Sequence, residues 1–76
     1  MDITSAQCRA ARAMIEWSRD ALAAESRVGK RTIVDFERGA RSPQASTLLA
    51  IQRAFEESGG VEFTNGDQPG VRLRKP

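Results

Sequence analysis

The chain contains no histidine, and Cys8 is its single cysteine. The first absence removes the commonest transition-metal ligand, and one thiol cannot form a ligand cluster, so neither a metal nor another cofactor is expected. An intramolecular disulfide is impossible. Aromatic residues are scarce, with three Phe and one Trp among 76 residues. No apolar run is long enough to cross a bilayer, because charges interrupt each one. The opening residues, MDITSAQCRAARAMIEW, lack a basic stretch followed by an apolar one. The expectation is a cytoplasmic protein with no membrane association. No phosphate-cradling glycine loop and no paired carboxylates are evident, and without histidine little is left from which to build a catalytic centre. A binding protein is expected rather than an enzyme.

Hydrophobic residues make up 39% of the chain and charged residues 29%, which suits a small helical globule. Residues 1–76 are read as one domain, since nothing remains from which to build a second core. Its stability must come from good helix packing or self-association, metal and disulfide being excluded. The net charge is only +2, but it is unevenly spread. From Arg27 to Arg41 five cations (Arg27, Lys30, Arg31, Arg38, Arg41) face two anions (Asp35, Glu37). Such a local excess draws a protein toward phosphate, although a solvated helical face would look the same.

Apolar periodicity and capping residues predict four helices. Thr4 or Ser5 can cap a first helix over about Ala6 to Glu16, with Cys8, Ala11, Met14 and Ile15 on its core face. After a break at Trp17, which reads as core or junction packing, Ser18 can cap a second helix over about Arg19 to Ser26. Leu22 and Ala23 face inward on it. Arg27-Val28-Gly29 makes a turn, with Val28 tucked into the core. A third helix follows over about Lys30 to Arg38, with Ile33 and Phe36 as its buried stripe. Gly39 then takes the left-handed conformation that ends a helix. Beyond Pro43 a fourth helix covers about Ala45 to Ser58, presenting Leu48, Ile51 and Phe55 to the core. Gly59-Gly60 stops it. The tail changes period: Val61-Glu62-Phe63 and Val71-Arg72-Leu73 alternate around a turn-rich stretch, which predicts a β-hairpin over about 61–63 with 71–73. A two-stranded hairpin is marginal alone, so it must pack on the helices or on another chain.

Two short helices joined by a tight turn, the second opening on Lys30, Arg31 and Thr32, form the pattern by which a helix-turn-helix offers polar side chains to the DNA major groove. The stretch from Ser18 to Pro43 resembles the Cro/phage-repressor (XRE-type) helix-turn-helix family. The resemblance rests on Leu22-Ala23, the turn Arg27-Val28-Gly29, the polar helix Lys30 to Phe36, Glu37-Arg38-Gly39 and Pro43. Less specifically, it extends over about Cys8 to Phe55. It implies a mainly α fold: a four-helix, lambda-repressor-like helix-turn-helix domain, here with a short C-terminal β-hairpin. Three departures stand out. Arg27 occupies a turn position usually held by Gly, Ser26 one that is often apolar, and the hairpin replaces a common fifth helix.

The resemblance also implies roles for residues. Arg12 on helix one and Glu37 match positions that commonly form a structural ion pair. Lys30, Arg31 and Thr32 would read base edges; Lys and Arg suit the O6 and N7 acceptors of guanine. Val34 could touch a thymine methyl, and Asp35 could accept from cytosine, orient Arg31 or simply form a surface ion pair. Arg19 matches a position that contacts the DNA backbone or braces the base-reading residues. Arg27, Arg38 and Arg41 would meet phosphate, or else be solvated. Arg72, Arg74 and Lys75 either add phosphate contacts or keep a hairpin edge soluble. Cys8 reads as a small buried hydrophobe and, less readily, as a redox-sensing thiol.

The function expected is a sequence-specific, DNA-binding transcriptional regulator, a repressor acting as a homodimer on a two-fold operator in double-stranded DNA. The alternative keeps the fold as a protein-interaction module, such as an antitoxin or anti-activator, whose hairpin adds a strand to a protein partner.

Overall fold

A computed structural model describes residues 2–74, so Lys75 lies outside the described residues. The elements follow in the order α1 (Ser5–Ile15), α2 (Arg19–Ser26), α3 (Lys30–Glu37), α4 (Ala45–Glu57), β1 (Val61–Thr64) and β2 (Gly70–Leu73). This mainly helical architecture with a C-terminal hairpin is the expected fold class. The element ends differ from the expected ones by a residue here and there, for local reasons. Thr4 and Gln7 form a reciprocal capping box: the Thr4 hydroxyl accepts from the Gln7 N–H at 3.1 Å, and Gln7 Oε1 accepts from the Thr4 N–H at 2.8 Å. That starts α1 at Ser5. Glu16, at φ +58°, is its left-handed cap and not its last turn. Ser18 caps α2 by accepting from the Ala21 N–H at 3.0 Å.

The helices converge on Phe55, which is fully buried with Leu22, Ile33, Ile51 and Val61. Trp17 stacks on the Phe55 ring with centroids 5.6 Å apart, and Phe63 meets it edge-on at 5.8 Å. The four aromatic residues of so small a core are thus mostly spent joining helix junction, α4 and hairpin in one cluster. The hairpin is antiparallel, pairing Val61 with Leu73, Glu62 with Arg72, Phe63 with Val71 and Thr64 with Gly70. It packs on the helices: β1 lies against α4 and β2 against α1. Gln7 anchors its turn end, donating from buried Nε2 to the Thr64 and Gly70 carbonyls at 2.9 and 3.0 Å. On its outer face, Arg72 and Arg74 flank Glu62 at 2.8 and 3.7 Å.

One core expectation fails. Met14 is 38% exposed, because α1 turns Gln7, Cys8 and Ala11 inward and uses Ile15, not Met14, to close its C-terminal end. Ile15 reaches that position through Gly59. A Cβ on Gly59 would stand 2.7 Å from Ile15 Cδ1 and 2.9 Å from the Phe55 carbonyl oxygen. The side chain can give way, but the backbone oxygen is fixed by α4. Gly59→Ala is therefore expected to destabilise the fold by about 1–3 kcal/mol, measured as a lower urea midpoint with an unchanged slope.

Candidate nucleic-acid interface

The turn between α2 and α3 is built around a strained residue. Arg27 closes α2 at φ +59°, ψ +28°, its N–H donating to the Ala23 carbonyl at 2.9 Å. Ser26 beside it is buried, and its polarity is satisfied locally: Oγ donates to the Leu22 carbonyl at 2.7 Å and accepts from the Val28 N–H at 3.2 Å. The hydroxyl thereby ties the turn together where an apolar side chain was expected. Left-handed backbone costs a Cβ-bearing residue roughly 1–2 kcal/mol, and glycine gives back part of that as chain entropy. Arg27→Gly is thus expected to raise stability by about 0.5–1 kcal/mol, seen as a higher Tm. A lower Tm would show that the arginine side chain itself supports the turn.

Past the turn, α3 divides by face. Ile33, Phe36 and Glu37 point into the protein, Lys30, Arg31 and Thr32 are exposed, and Val34 and Asp35 are half-buried. Lys30 Nζ lies 3.0 Å from Asp20 Oδ1, and Arg31 Nε lies 3.5 Å from Asp35 Oδ2. The Arg31 side chain is 87% exposed and Asp35 only 18%, so the carboxylate is the fixed partner. A groove runs between α3 and the following loop, lined by Arg31, Thr32, Asp35, Arg41 and Gln44. The loop is tied to the helix end: the Asp35 carbonyl accepts from the Ala40 and Arg41 N–H groups at 2.9 and 3.4 Å, with Gly39 left-handed at φ +75°. Arg38 and Arg41 are exposed at this end.

Behind the surface sits Glu37, whose carboxylate has no solvent exposure. Arg12 grips it from α1 with two parallel bonds, Nε to Oε2 at 2.7 Å and Nη2 to Oε1 at 2.8 Å. Arg19 adds Nε to Oε1 at 2.9 Å, and the Cys8 thiol donates to Oε2 at 3.1 Å. Arg9 donates to the Glu37 main-chain carbonyl, and Arg12 Nη1 to the Trp17 carbonyl at 3.1 Å. One carboxylate therefore joins α1, α2 and α3, and Arg12 extends the cluster to the α1–α2 junction. Burial pushes its carboxyl up, but the hydrogen bonds from Arg12, Cys8 and Arg19 outweigh that and hold it below its ordinary value. Burial, and then the bond to Glu37, push the Cys8 thiol well above the usual thiol range. That is the opposite of what a redox-sensing thiolate needs.

The expected residues thus fall into two sets. Arg12 and Glu37 lie together in the interior. Arg19 joins them through Nε, so it braces the helix pair from the N-terminus of α2. Lys30, Arg31, Thr32, Arg38 and Arg41 lie along α3 and its following loop, and Arg27 sits exposed in the preceding turn. Cys8 and Arg9 were missed as partners of Glu37. Their spacing from Arg12, four and three residues, puts all three on adjoining faces of α1, which is the signal that could have found them.

The helix-turn-helix family model matches residues 9–60, most of the chain. The chain belongs to the Cro/phage-repressor (XRE-type) helix-turn-helix family. The match takes in the Glu37 cluster from Arg9 onward, the α2–turn–α3 unit and all of α4, and ends before the hairpin. No curated protein matches this XRE-type chain. The family is one of DNA-binding regulators. Among the described residues no helix is long and apolar enough to cross a membrane, and no group of three or more His, Cys, Asp or Glu could hold a metal ion.

Proposed function

We propose that this protein is a sequence-specific transcriptional regulator, a repressor that binds its operator as a homodimer and acts by occlusion in the cytoplasm. The observation that carries the reading is the split character of α3. Its inner face is locked to α1 and α2 through buried Glu37, while its first turn holds Lys30, Arg31 and Thr32 out to solvent. Rigid support behind an exposed polar turn is what base readout requires, because a misplaced side chain cannot align with donors and acceptors fixed in the groove. In this reading Lys30, Arg31, Thr32, Val34 and Asp35 meet base edges, while Arg27, Arg38 and Arg41 meet phosphate. Arg19 acts chiefly as a brace and uses its remaining N–H groups on the backbone.

Selection of binding sites from a random duplex pool with the purified protein tests this. The expected product is a two-fold sequence with half-sites about 10 base pairs apart, the separation that places two recognition helices on one side of the duplex. A single unrepeated half-site would remove the dimer from the proposal. No enrichment at low salt would remove DNA binding and favour the protein-interaction module instead.

A further inference from the structure

The cations around the recognition helix are of two kinds. Lys30 and Arg31, on the first turn of α3, each stand beside a carboxylate, Asp20 and Asp35 respectively. Arg27, Arg38 and Arg41, which flank them, are exposed and have no carboxylate partner among the described residues. The pair on Lys30 bridges two elements: Asp20 lies in the first turn of α2, and both side chains are more than half exposed.

We propose that Asp20 is a positioning residue for specificity, holding the Lys30 ammonium for base edges and keeping it off phosphate. The inference rests on the DNA-binding reading above. An ammonium carries three N–H donors and no acceptor. With one donor on Asp20, two remain for neutral acceptors such as guanine O6 and N7, so Lys30 can read a base without leaving its partner. Engaging a phosphate is different. Lys30 must abandon Asp20 or bring that carboxylate up against the phosphate's own negative charge. The pair therefore leaves the specific complex intact and penalises the non-specific one. The same device recurs at Arg31, whose Nε faces Asp35 and leaves the terminal amino groups free.

The test compares the protein with its Asp20→Asn, Asp20→Glu, Lys30→Ala and Asp20→Asn/Lys30→Ala variants. Each is measured by fluorescence anisotropy on the selected duplex and on a scrambled duplex of equal length. Asp20→Asn is expected to tighten scrambled-duplex binding about eightfold at 0.1 M salt, the effect of one additional effective phosphate contact, and to steepen its salt slope by about one. Selected-duplex binding should tighten no more than about twofold, so that the ratio between the duplexes falls. Asp20→Glu should keep the parent's ratio. In the Lys30→Ala background the gain should shrink to less than about twofold, since Asp20 acts through that ammonium. A purely structural Asp20, stabilising the start of α2, would weaken both duplexes alike. That outcome overturns the inference, as does a full gain in the Lys30→Ala background. If the parent is selective and Asp20→Asn leaves the ratio unchanged, the inference alone falls. A parent protein that binds neither duplex overturns the DNA-binding reading together with it.

Discussion

Glu37→Ala should lower unfolding stability by about 3 kcal/mol, the low end of what breaking a buried ion pair costs. The low end applies because Arg12 and Arg19 keep 19% and 40% side-chain exposure and can turn partly to water. For a chain of this length the whole stability is expected to be about 4–11 kcal/mol, so the loss is a large share of it. At about 4–8 °C per kcal/mol the Tm should fall by more than about 10 °C. An unchanged melting curve would mean that the cluster merely accompanies the fold. The same carboxylate gives the stability a pH dependence of defined sign. Its folded pKa lies below the unfolded value, so its contribution is complete above the ordinary carboxylate range. That contribution declines as pH falls through that range and is gone below the folded pKa. Tm measured against pH should therefore drop on the acid side, and Glu37→Gln should flatten that limb while lowering the plateau.

Arg31→Ala should relax the sequence preference while leaving the protein folded. Arg31 is 87% exposed and its one ion pair among the described residues is a loose one at 3.5 Å, so removing it costs the fold little. A bidentate guanine contact discriminates by about 1–3 kcal/mol, which corresponds to about fivefold to 160-fold weaker binding to the selected site. Scrambled duplexes should lose far less. Arg41→Ala should behave oppositely, weakening every duplex alike and making the salt slope shallower by about one. The two variants together separate reading from anchoring. If Arg31→Ala weakens all duplexes in proportion, Arg31 is an anchor and the base-reading assignment on α3 is wrong.

The hairpin and the Glu37 cluster show where sequence reading succeeds and where it stops. The hairpin was legible because alternation around a turn-rich stretch is a local property. What holds it was not: Gln7 lies 57 and 63 residues from the carbonyls it binds, and its spacing from Thr4 marks a capping box but says nothing of a hairpin. Met14 was misplaced for a related reason. Positions 14 and 15 both fit the core face of α1 by spacing, but only Ile15 packs on the core, its Cδ1 lying against Gly59 just past the end of α4. The pairing of Arg12 with Glu37 was reached only through resemblance, and Cys8, Arg9 and Arg19 joined it only in three dimensions.

Arg27 marks the same boundary. Its place in a turn where glycine is usual was visible along the chain, but its left-handed backbone was not. Helix periods, caps, breakers and the polar opening of α3 were all readable one-dimensionally, because each depends on residues within a turn or two of one another. Which cation meets which carboxylate was not so readable. Arg19 turned inward to Glu37, Lys30 across to Asp20, and Arg31 along its own helix to Asp35. Those choices depend on distances between helices set by the packing around Phe55, and charge attraction is too short-ranged and too tolerant of residue type to announce them in the sequence.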